Sequence, residues 1–416
     1  MKVIAFVFVI ATTLVLAAGQ LNTVHEWNYI DYLWPNESIK MNAFESGRYI
    51  FDRVVPMDVD VDKDGRIFLS FLGAEGVPAT LGTVSSVVVD SGPLIQPYPD
   101  WSWFDPDNCN TIQNVYRIAI DECNRLWVLD TGFLEGKPMK CQAKLLLFDL
   151  TNDQHLGTII IPDKIAKNKD GVTLLANPVV ETDGLNCKKT TVYVADTLGN
   201  SLVIVDLGSN KNLMWRLDNP AFGPDPNAAN FVSGNDTATF MGGVLGLAVS
   251  PKIFPNEGRL LYFRSLASWG LSAMSTESLK QTIYGHSVKF ETRNDILPSQ
   301  AIAMAFSSQG TLFFGITGRD AIGCWNRYRL LSRDVLKTIA EDHEQLQYLN
   351  GVKVIRPSST HPAEELWVLS NRFLGYVQGT LNPRNSNFRI MKAPVQDLVN
   401  NTVCDMPSNL KAKLPR

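Results

Sequence analysis

The sequence predicts an all-β fold: a six-bladed β-propeller of four-stranded antiparallel blades, closed by pairing the N- and C-terminal segments. Three observations carry that expectation. A pattern of apolar strand, polar turn and second strand with paired large apolar residues returns six times along the chain. Period-two alternation is common while long helical periodicity is scarce. Phe68, Trp127, Tyr193, Tyr262, Phe313 and Trp367 hold one position of the repeat, at spacings of 59, 66, 69, 51 and 54 residues. Repeats of that length, made of strands and turns, suit twisted four-stranded blades set around an axis.

The first copy is "PMDVDVDKDGRIFLSFLG", Pro56 to Gly73. Its spaced aspartates resemble a calcium loop, and counting from Asp60 the glycine falls correctly at Gly65. The last ligand position, however, is Phe71, which coordinates nothing. Val59, Val61, Ile67, Leu69 and Phe71 alternate with polar or small residues, which describes two strands and a turn. The aspartates are expected to flank that turn and satisfy its backbone groups. No metal site is expected.

The later copies follow in order. They are "YRIAIDECNRLWVLDTG" (116–132), "NPVVETDGLNCKKTTVYVADTLGN" (177–200), "LGLAVSPKIFPNEGRLLYFRSL" (245–266), "AIAMAFSSQGTLFFGITG" (301–318) and "GVKVIRPSSTHPAEELWVLSN" (351–371). Further strands lie between them, as in "KLLLFDL" (144–150) and "SLVIVDL" (201–207). An open ring would leave a strand edge free to aggregate, so the chain ends are expected to share a blade. Thr23 to Trp34, "TVHEWNYIDYLW", alternates well enough to complete the sixth blade beside the strands after Trp367.

Residues 1–19 carry one lysine, a long apolar run and small residues at Ala17 and Gly19, the pattern of a signal peptide cleaved before Gln20. The expected domains are therefore the signal peptide 1–19, the propeller 20–405 and a flexible tail 406–416. A secreted, extracellular protein follows, with no later membrane span. Sequons at Asn36, Asn235 and Asn400 suit glycosylation on that route. The six cysteines, Cys109, Cys123, Cys141, Cys187, Cys324 and Cys404, are even in number and imply disulfides. Six allow about 15 pairings. No C-x-x-C is present, which argues against structural zinc or a redox dithiol. A net charge of −4 and scattered basic residues argue against nucleic acid as a partner.

Catalytic signatures are missing. His25, His155, His286, His343 and His361 sit in unrelated contexts, with no nucleophile elbow, zinc-protease helix, P-loop or dinucleotide fingerprint. Asp130, Asp196 and Asn326 form the one candidate ring of inward polar groups, against the plainer reading that they close strand ends. No cofactor is expected.

The blocks "LNTVHEWNYIDYLWP", "GVPATL", "GPLIQPYPDWSW", "YRIAIDECNRLWVLDTG", "IGCWN" and "NFRIM" resemble the major royal jelly protein and yellow family of insects over Leu21 to Cys404. The stretch "IGCWNRYRLLSRDVLKTIAEDHEQLQ" is most similar to the royal jelly branch. The resemblance implies a secreted six-bladed propeller, in a family that includes pigmentation factors, amine-binding salivary proteins, nutritive jelly proteins and dopachrome-converting members. It implies the disulfides Cys123–Cys187 and Cys324–Cys404, which leaves Cys109 and Cys141 for a third, local bridge. It also implies a ligand pocket at a channel mouth. An Asn-x-Phe element contacts the amine in the salivary relatives and corresponds to Asn371 and Phe373 here. A ligand-contacting threonine of those relatives falls near Asn350–Gly351, where this sequence departs. Asn326, Trp127 and Tyr193, with Phe313, Trp325 and Trp367, are the other candidate lining residues, suited to stacking on a flat ligand. The expected partner is a small aromatic amine, a catechol or another small apolar molecule. The expected function is binding or nutrition without catalysis; the alternative is a dopachrome-converting enzyme of cuticle pigmentation.

Overall fold

A computed structural model of the chain describes residues 20–133, 140–184, 187–208 and 212–413. The expected signal peptide lies outside the described residues. Six four-stranded antiparallel sheets form a six-bladed propeller. Blade one comprises Pro56–Val61, Ile67–Phe71, Leu81–Val89 and Gly92–Pro97. Blade two is built from Val115–Ile120, Arg125–Asp130, Lys144–Asp149 and Gln154–Ile160. Blade three uses Leu175–Asp183, Lys189–Asp196, Ser201–Asp206 and Leu213–Asp218. Blade four uses Val244–Val249, Leu260–Ser265, Leu271–Ser275 and Glu291–Arg293, and blade five Met304–Phe306, Thr311–Ile316, Ala321–Asn326 and Lys337–Glu341. Blade six takes Leu349–Ile355, Glu365–Ser370 and Phe388–Pro394, with Asn22–Trp27 as its outermost strand.

The ring therefore closes through the chain ends, with Thr23 opposite Met391 and Trp27 opposite Phe388. The closing strand is shorter than the sequence suggests. It ends at Trp27, and the residues after it cross to blade one, where Tyr32 bridges Ile95. The Tyr32 hydroxyl donates to Ala79 O at 2.7 Å, and its ring sits in a cluster with Trp34, Tyr49 and Trp101. Aromatic packing takes this segment away from the ladder.

Apolar side chains on each blade face pack against the next blade. Phe68 lies in the cluster between blades one and two, and Trp127 in that between two and three. Tyr193, Tyr262, Phe313 and Trp367 continue the series around the ring to blade one again. The repeat position is thus the inter-blade core. Burying a large aromatic there contributes on the order of 2–3 kcal/mol of transfer free energy.

The turns of blades one and two share one device. Asp62 Oδ1 accepts from the backbone N–H groups of Asp64 (3.0 Å) and Arg66 (2.8 Å), and Oδ2 accepts from Arg66 Nε (2.7 Å). Asp121 does the same with Cys123, Arg125 and Arg125 Nε. Gly65 and Asn124 stand at matching positions with φ of 88° and 58°, the left-handed region that these two residue types enter most easily. Only Asp62 behaves as the sequence reading assigned. Asp58 and Asp60 do not serve the turn; they are buried in the innermost strand and reach other blades.

Disulfides join Cys109 to Cys141, Cys123 to Cys187, and Cys324 to Cys404, across 32, 64 and 80 residues of chain. The second and third are the pairs that the resemblance implies, and the first joins the two cysteines it leaves over. The segment expected as a flexible tail is described to residue 413. Met406 is buried, Ser408–Lys411 is a short helix, and Lys411 Nζ lies 2.7 Å from Asp405 Oδ2. No helix among the described residues is long and apolar enough to cross a membrane.

Candidate functional site

The innermost strands surround a channel with two mouths, one where these strands begin and one where they end. The first is plugged. A hairpin, Asn230–Ser233 with Asp236–Thr239, is inserted between blades three and four, and the helix Phe373–Gln378 comes from blade six. Phe231 of the hairpin packs with Ala176, Leu245, Ile302, Tyr348 and Leu374, drawn from blades three to six. Polar contacts hold the plug at its rim. The Ser233 hydroxyl donates to Asp320 Oδ1 and accepts from Tyr348 N at 2.9 Å. Gly234 N donates to Asp320 Oδ2 at 2.9 Å, and the Thr380 hydroxyl to Asp236 Oδ1 at 2.9 Å.

Asn371 and Phe373 belong to this plugged mouth. Asn371 is fully buried; its Nδ2 donates to Pro56 O at 2.8 Å and its Oδ1 accepts from Phe373 N at 3.2 Å. Its amide ties blade six to blade one and starts the helix. The Phe373 ring sits 5.4 Å from Tyr348 and 6.0 Å from Phe240, inside the plug.

The other expected lining residues do not join them. Trp127 is fully buried between blades, with Nε1 donating to Asp121 Oδ2 at 2.8 Å. Tyr193 is equally buried, its hydroxyl donating to Glu181 Oε2 at 2.6 Å. Asn326 Nδ2 donates to Cys404 O at 3.3 Å and to the Thr311 hydroxyl at 3.2 Å, at the outer part of blade five. Phe313, Trp325 and Trp367 are also in the inter-blade core. Large aromatics at strand centres pack against neighbouring blades because only the inner edge of each sheet faces the axis.

Asp130 and Asp196 close strand ends. Asp130 accepts from Gln113 N (2.9 Å) and Asn114 N (3.0 Å) and pairs with Lys144 Nζ at 2.9 Å. Asp196 accepts from Leu174 N at 2.7 Å and pairs with Arg216 at 2.8 Å. Each fixes the loop that leads into its own blade. Among the described residues no group of three or more His, Cys, Asp or Glu side chains is arranged to hold a metal.

The second mouth holds a cavity of about 430 Å³ whose two sides differ. Blades three, four and five present Val179, Leu247, Ala248, Met304, Ala305 and Phe306. Blades one, two and six add Ala119, Ile120 and Val352 and, among them, the charged Asp60, Arg117 and Lys353. Their chemistry follows from the topology. The inner edge of each sheet has no neighbouring strand, so its backbone groups need partners. Asp58 Oδ2 accepts from Ile118 N at 3.3 Å, Asp60 Oδ2 accepts from Ile120 N at 2.9 Å, and Lys353 Nζ donates to Ile118 O at 2.6 Å.

These charges also meet one another. Lys353 Nζ lies 3.0 Å from Asp58 Oδ2 and 3.7 Å from Asp60 Oδ2. Arg117 Nη2 donates to Asn350 Oδ1 at 2.8 Å, and Nη1 stands 3.9 Å from Asp58 Oδ1, an oxygen with no hydrogen-bond partner among the described residues. Burial pushes the Asp60 carboxyl up to about 6, against the opposing pull of Lys353 and the Ile120 N–H. Burial also lowers the Arg117 pKa, a direction that Asp58 opposes. Sequence reasoning missed this cluster. Its signal was a charged residue inside an innermost strand in three copies: "MDVDV", "YRIAI" and "VKVI".

A family model described as "Major royal jelly protein" matches residues 113–404. Major royal jelly protein 9 of Apis mellifera is 35% identical over 390 residues, spanning 92% of this chain and 90% of that protein. Major royal jelly protein 1 of Apis mellifera is 35% identical over 399 residues, spanning 94% and 90%.

Proposed function

The chain belongs to the major royal jelly protein family, and on that premise we propose that it is a secreted protein that binds a small molecule without converting it. The proposed pocket is the open mouth of the channel. One observation carries the reading: the cavity joins apolar side chains from all six blades with a charged group, Asp60, Arg117 and Lys353, on blades one, two and six. Binding sites of this kind combine apolar surface with a few placed polar groups that fix orientation. No serine–histidine or cysteine–histidine pair borders the cavity among the described residues. The Ser308 hydroxyl there donates to Glu364 Oε2 at 3.1 Å, with no histidine between. Export is supported by the apolar leader pattern of residues 1–19 and by Asn36, Asn235 and Asn400, all exposed. A nutritive role is compatible with the same architecture.

A second reading, dopachrome conversion, draws on Asp60 alone. A carboxyl that titrates at about 6 could take and return the proton that a tautomerisation moves. Dopachrome consumption by purified protein, run beside calorimetric titration with dopamine, serotonin and octopamine, separates the two. Binding is expected to saturate, and dopachrome to decay at its uncatalysed rate. Turnover above that rate, lost in Asp60→Asn, would overturn the binding reading.

A further inference from the structure

We propose that the open mouth is selective for a small amphipathic anion, a carboxylate on an apolar body, whose head is held by Arg117 beside Lys353. The inference rests on the binding reading above and fixes the ligand class for that site. Three charged side chains on the innermost strands line the cavity, and two of them, Arg117 and Lys353, are cationic. The third is Asp60. The remaining charges on the lining are engaged near the rim: Asp62 with Arg66, Asp121 with Arg125, Glu122 with Arg356, Arg259 with Asp183, and Glu364 with Ser308. Lys63 is the exception: among the described residues its Nζ makes a long contact of 3.5 Å to the Thr151 hydroxyl, and its charge acts on Asp149. It adds positive charge.

Arg117 is the anchor because most of its hydrogen-bonding fork is unspent. A guanidinium carries five N–H donors in a plane that matches a carboxylate. Among the described residues its one side-chain hydrogen bond goes to the neutral Asn350, and its nearest carboxylate oxygen is 3.9 Å away. Lys353 is more committed, to Ile118 O and Asp58 Oδ2, and contributes chiefly its charge. The opposite wall, with Met304, Ala305 and Phe306, suits an apolar body. Asp58 is not on the lining, so a head group there meets two cations, Arg117 and Lys353, against one anion, Asp60.

The same geometry links binding to protons. Asp60 is faced by Lys353 from blade six, by Asp58 on its own strand and by the Ile120 N–H of blade two. Protonating it removes the one negative charge that the innermost strands present to the cavity. Anion affinity therefore rises as pH falls through the Asp60 titration.

The test is calorimetric titration of the full chain with octanoate, octylamine and octanol at about pH 7.5 and about pH 5.5, a window that spans the Asp60 titration. Octanoate is expected to bind at least ~10-fold more tightly than octylamine, and to gain ~3-fold or more at the lower pH, by the relation of affinity to free energy. Asp60→Asn is expected to abolish the pH response, and Arg117→Gln to lose ~10-fold or more of octanoate affinity. Because Arg117 is buried and its loss could prevent folding, Ala305→Trp, which fills the apolar wall, is the second variant and is expected to block octanoate. Equal or tighter binding of octylamine, blocked by Ala305→Trp, would overturn the choice of anion and leave the pocket standing. Ligand binding of any kind that ignores Ala305→Trp would overturn the pocket itself.

Discussion

The two mouths of one channel solve the same problem in opposite ways. Where the innermost strands begin, an inserted hairpin and a helix bring Phe231, Leu374 and Tyr348 together and exclude water. Where they end, no plug intervenes, and Asp58, Asp60, Arg117 and Lys353 satisfy the bare inner edges while leaving a cavity. Covalent links are distributed to match. Cys123–Cys187 ties the turns of blades two and three at the open end, and Cys324–Cys404 draws the C-terminal segment against blade five. Cys109–Cys141 is a local bridge on the plugged side. One end is filled by apolar packing, while the other is lined by a charged cluster and holds the cavity.

The largest effect expected from this contrast is on the plug. Phe231 is fully enclosed, so Phe231→Ala should lower unfolding free energy by about 3–5 kcal/mol, the usual cost of deleting a buried aromatic. Phe306, half-buried on the cavity wall, already borders empty space. Phe306→Ala should cost less than about 2 kcal/mol, because less packing is lost. Urea unfolding of both variants makes the comparison. Similar losses at the two sites would show that the open mouth is as tightly packed as the plugged one.

Next comes the stapling. Replacing Cys123 and Cys187 together by alanine should cost about 2–4 kcal/mol, since the link closes a long loop. Replacing Cys109 and Cys141 should cost less, with a shorter loop and an exposed Cys109. Hydrogen exchange should rise in the turns of blades two and three in the first pair and leave the hairpin Asn230–Thr239 unchanged. Loss of hairpin protection in that variant would mean that the two ends are not independent.

How much of this contrast could be read from the chain alone depended on sequence distance. The repeat was legible because Phe68, Trp127 and their counterparts serve one purpose, filling the space between blades, and so recur in one local pattern. The closing strand was legible from its alternation as far as Trp27. The cluster at the open mouth was not. Asp58 acts on Ile118, Lys353 on Ile118 and Arg117 on Asn350, partners placed 60 to more than 200 positions away. Read locally, those aspartates looked like turn residues, and Asp62 beside them is one. The plug was hidden for a different reason. Its strands "NFVS" and "DTAT" are four residues each and mostly polar, and one buried phenylalanine makes no periodic signal.

A smaller effect is expected from Asp60. Its folded pKa of about 6 stands above the ordinary value of 3.8, so the folded state binds the proton more tightly than the unfolded chain does. Stability therefore falls as pH rises from about 4 to about 6, the reverse of a salt-bridged carboxylate. Asp60→Asn should flatten that part of the pH–stability curve. At neutral pH it should be neutral or stabilising by about 1 kcal/mol, since an amide can still accept from the Ile120 N–H without a buried charge. Urea titrations across this range decide the sign. A variant less stable at neutral pH would show that the pairing with Lys353 outweighs the burial of Asp60.

The smallest effect should come from His343, at the rim of the plug. Its Nδ1 lies 3.2 Å from Asp320 Oδ2, and the ring is mostly exposed. A side-chain contact that open to solvent contributes about 0–1 kcal/mol even when both groups are charged. Asp320 itself is buried and has firmer partners, the Ser233 hydroxyl and the Gly234 N–H, which pin the hairpin turn. His343→Ala should therefore shift unfolding by less than about 0.5 kcal/mol, within the range of ordinary surface substitutions. Asp320→Ala, which leaves the Ser233 hydroxyl and the Gly234 N–H without their acceptor, should cost about 1–3 kcal/mol. If the histidine variant lost as much as the aspartate variant, the plug would be held by exposed charge. It would then share the open mouth's means of support, and the contrast between the two ends would fail at its most exposed point.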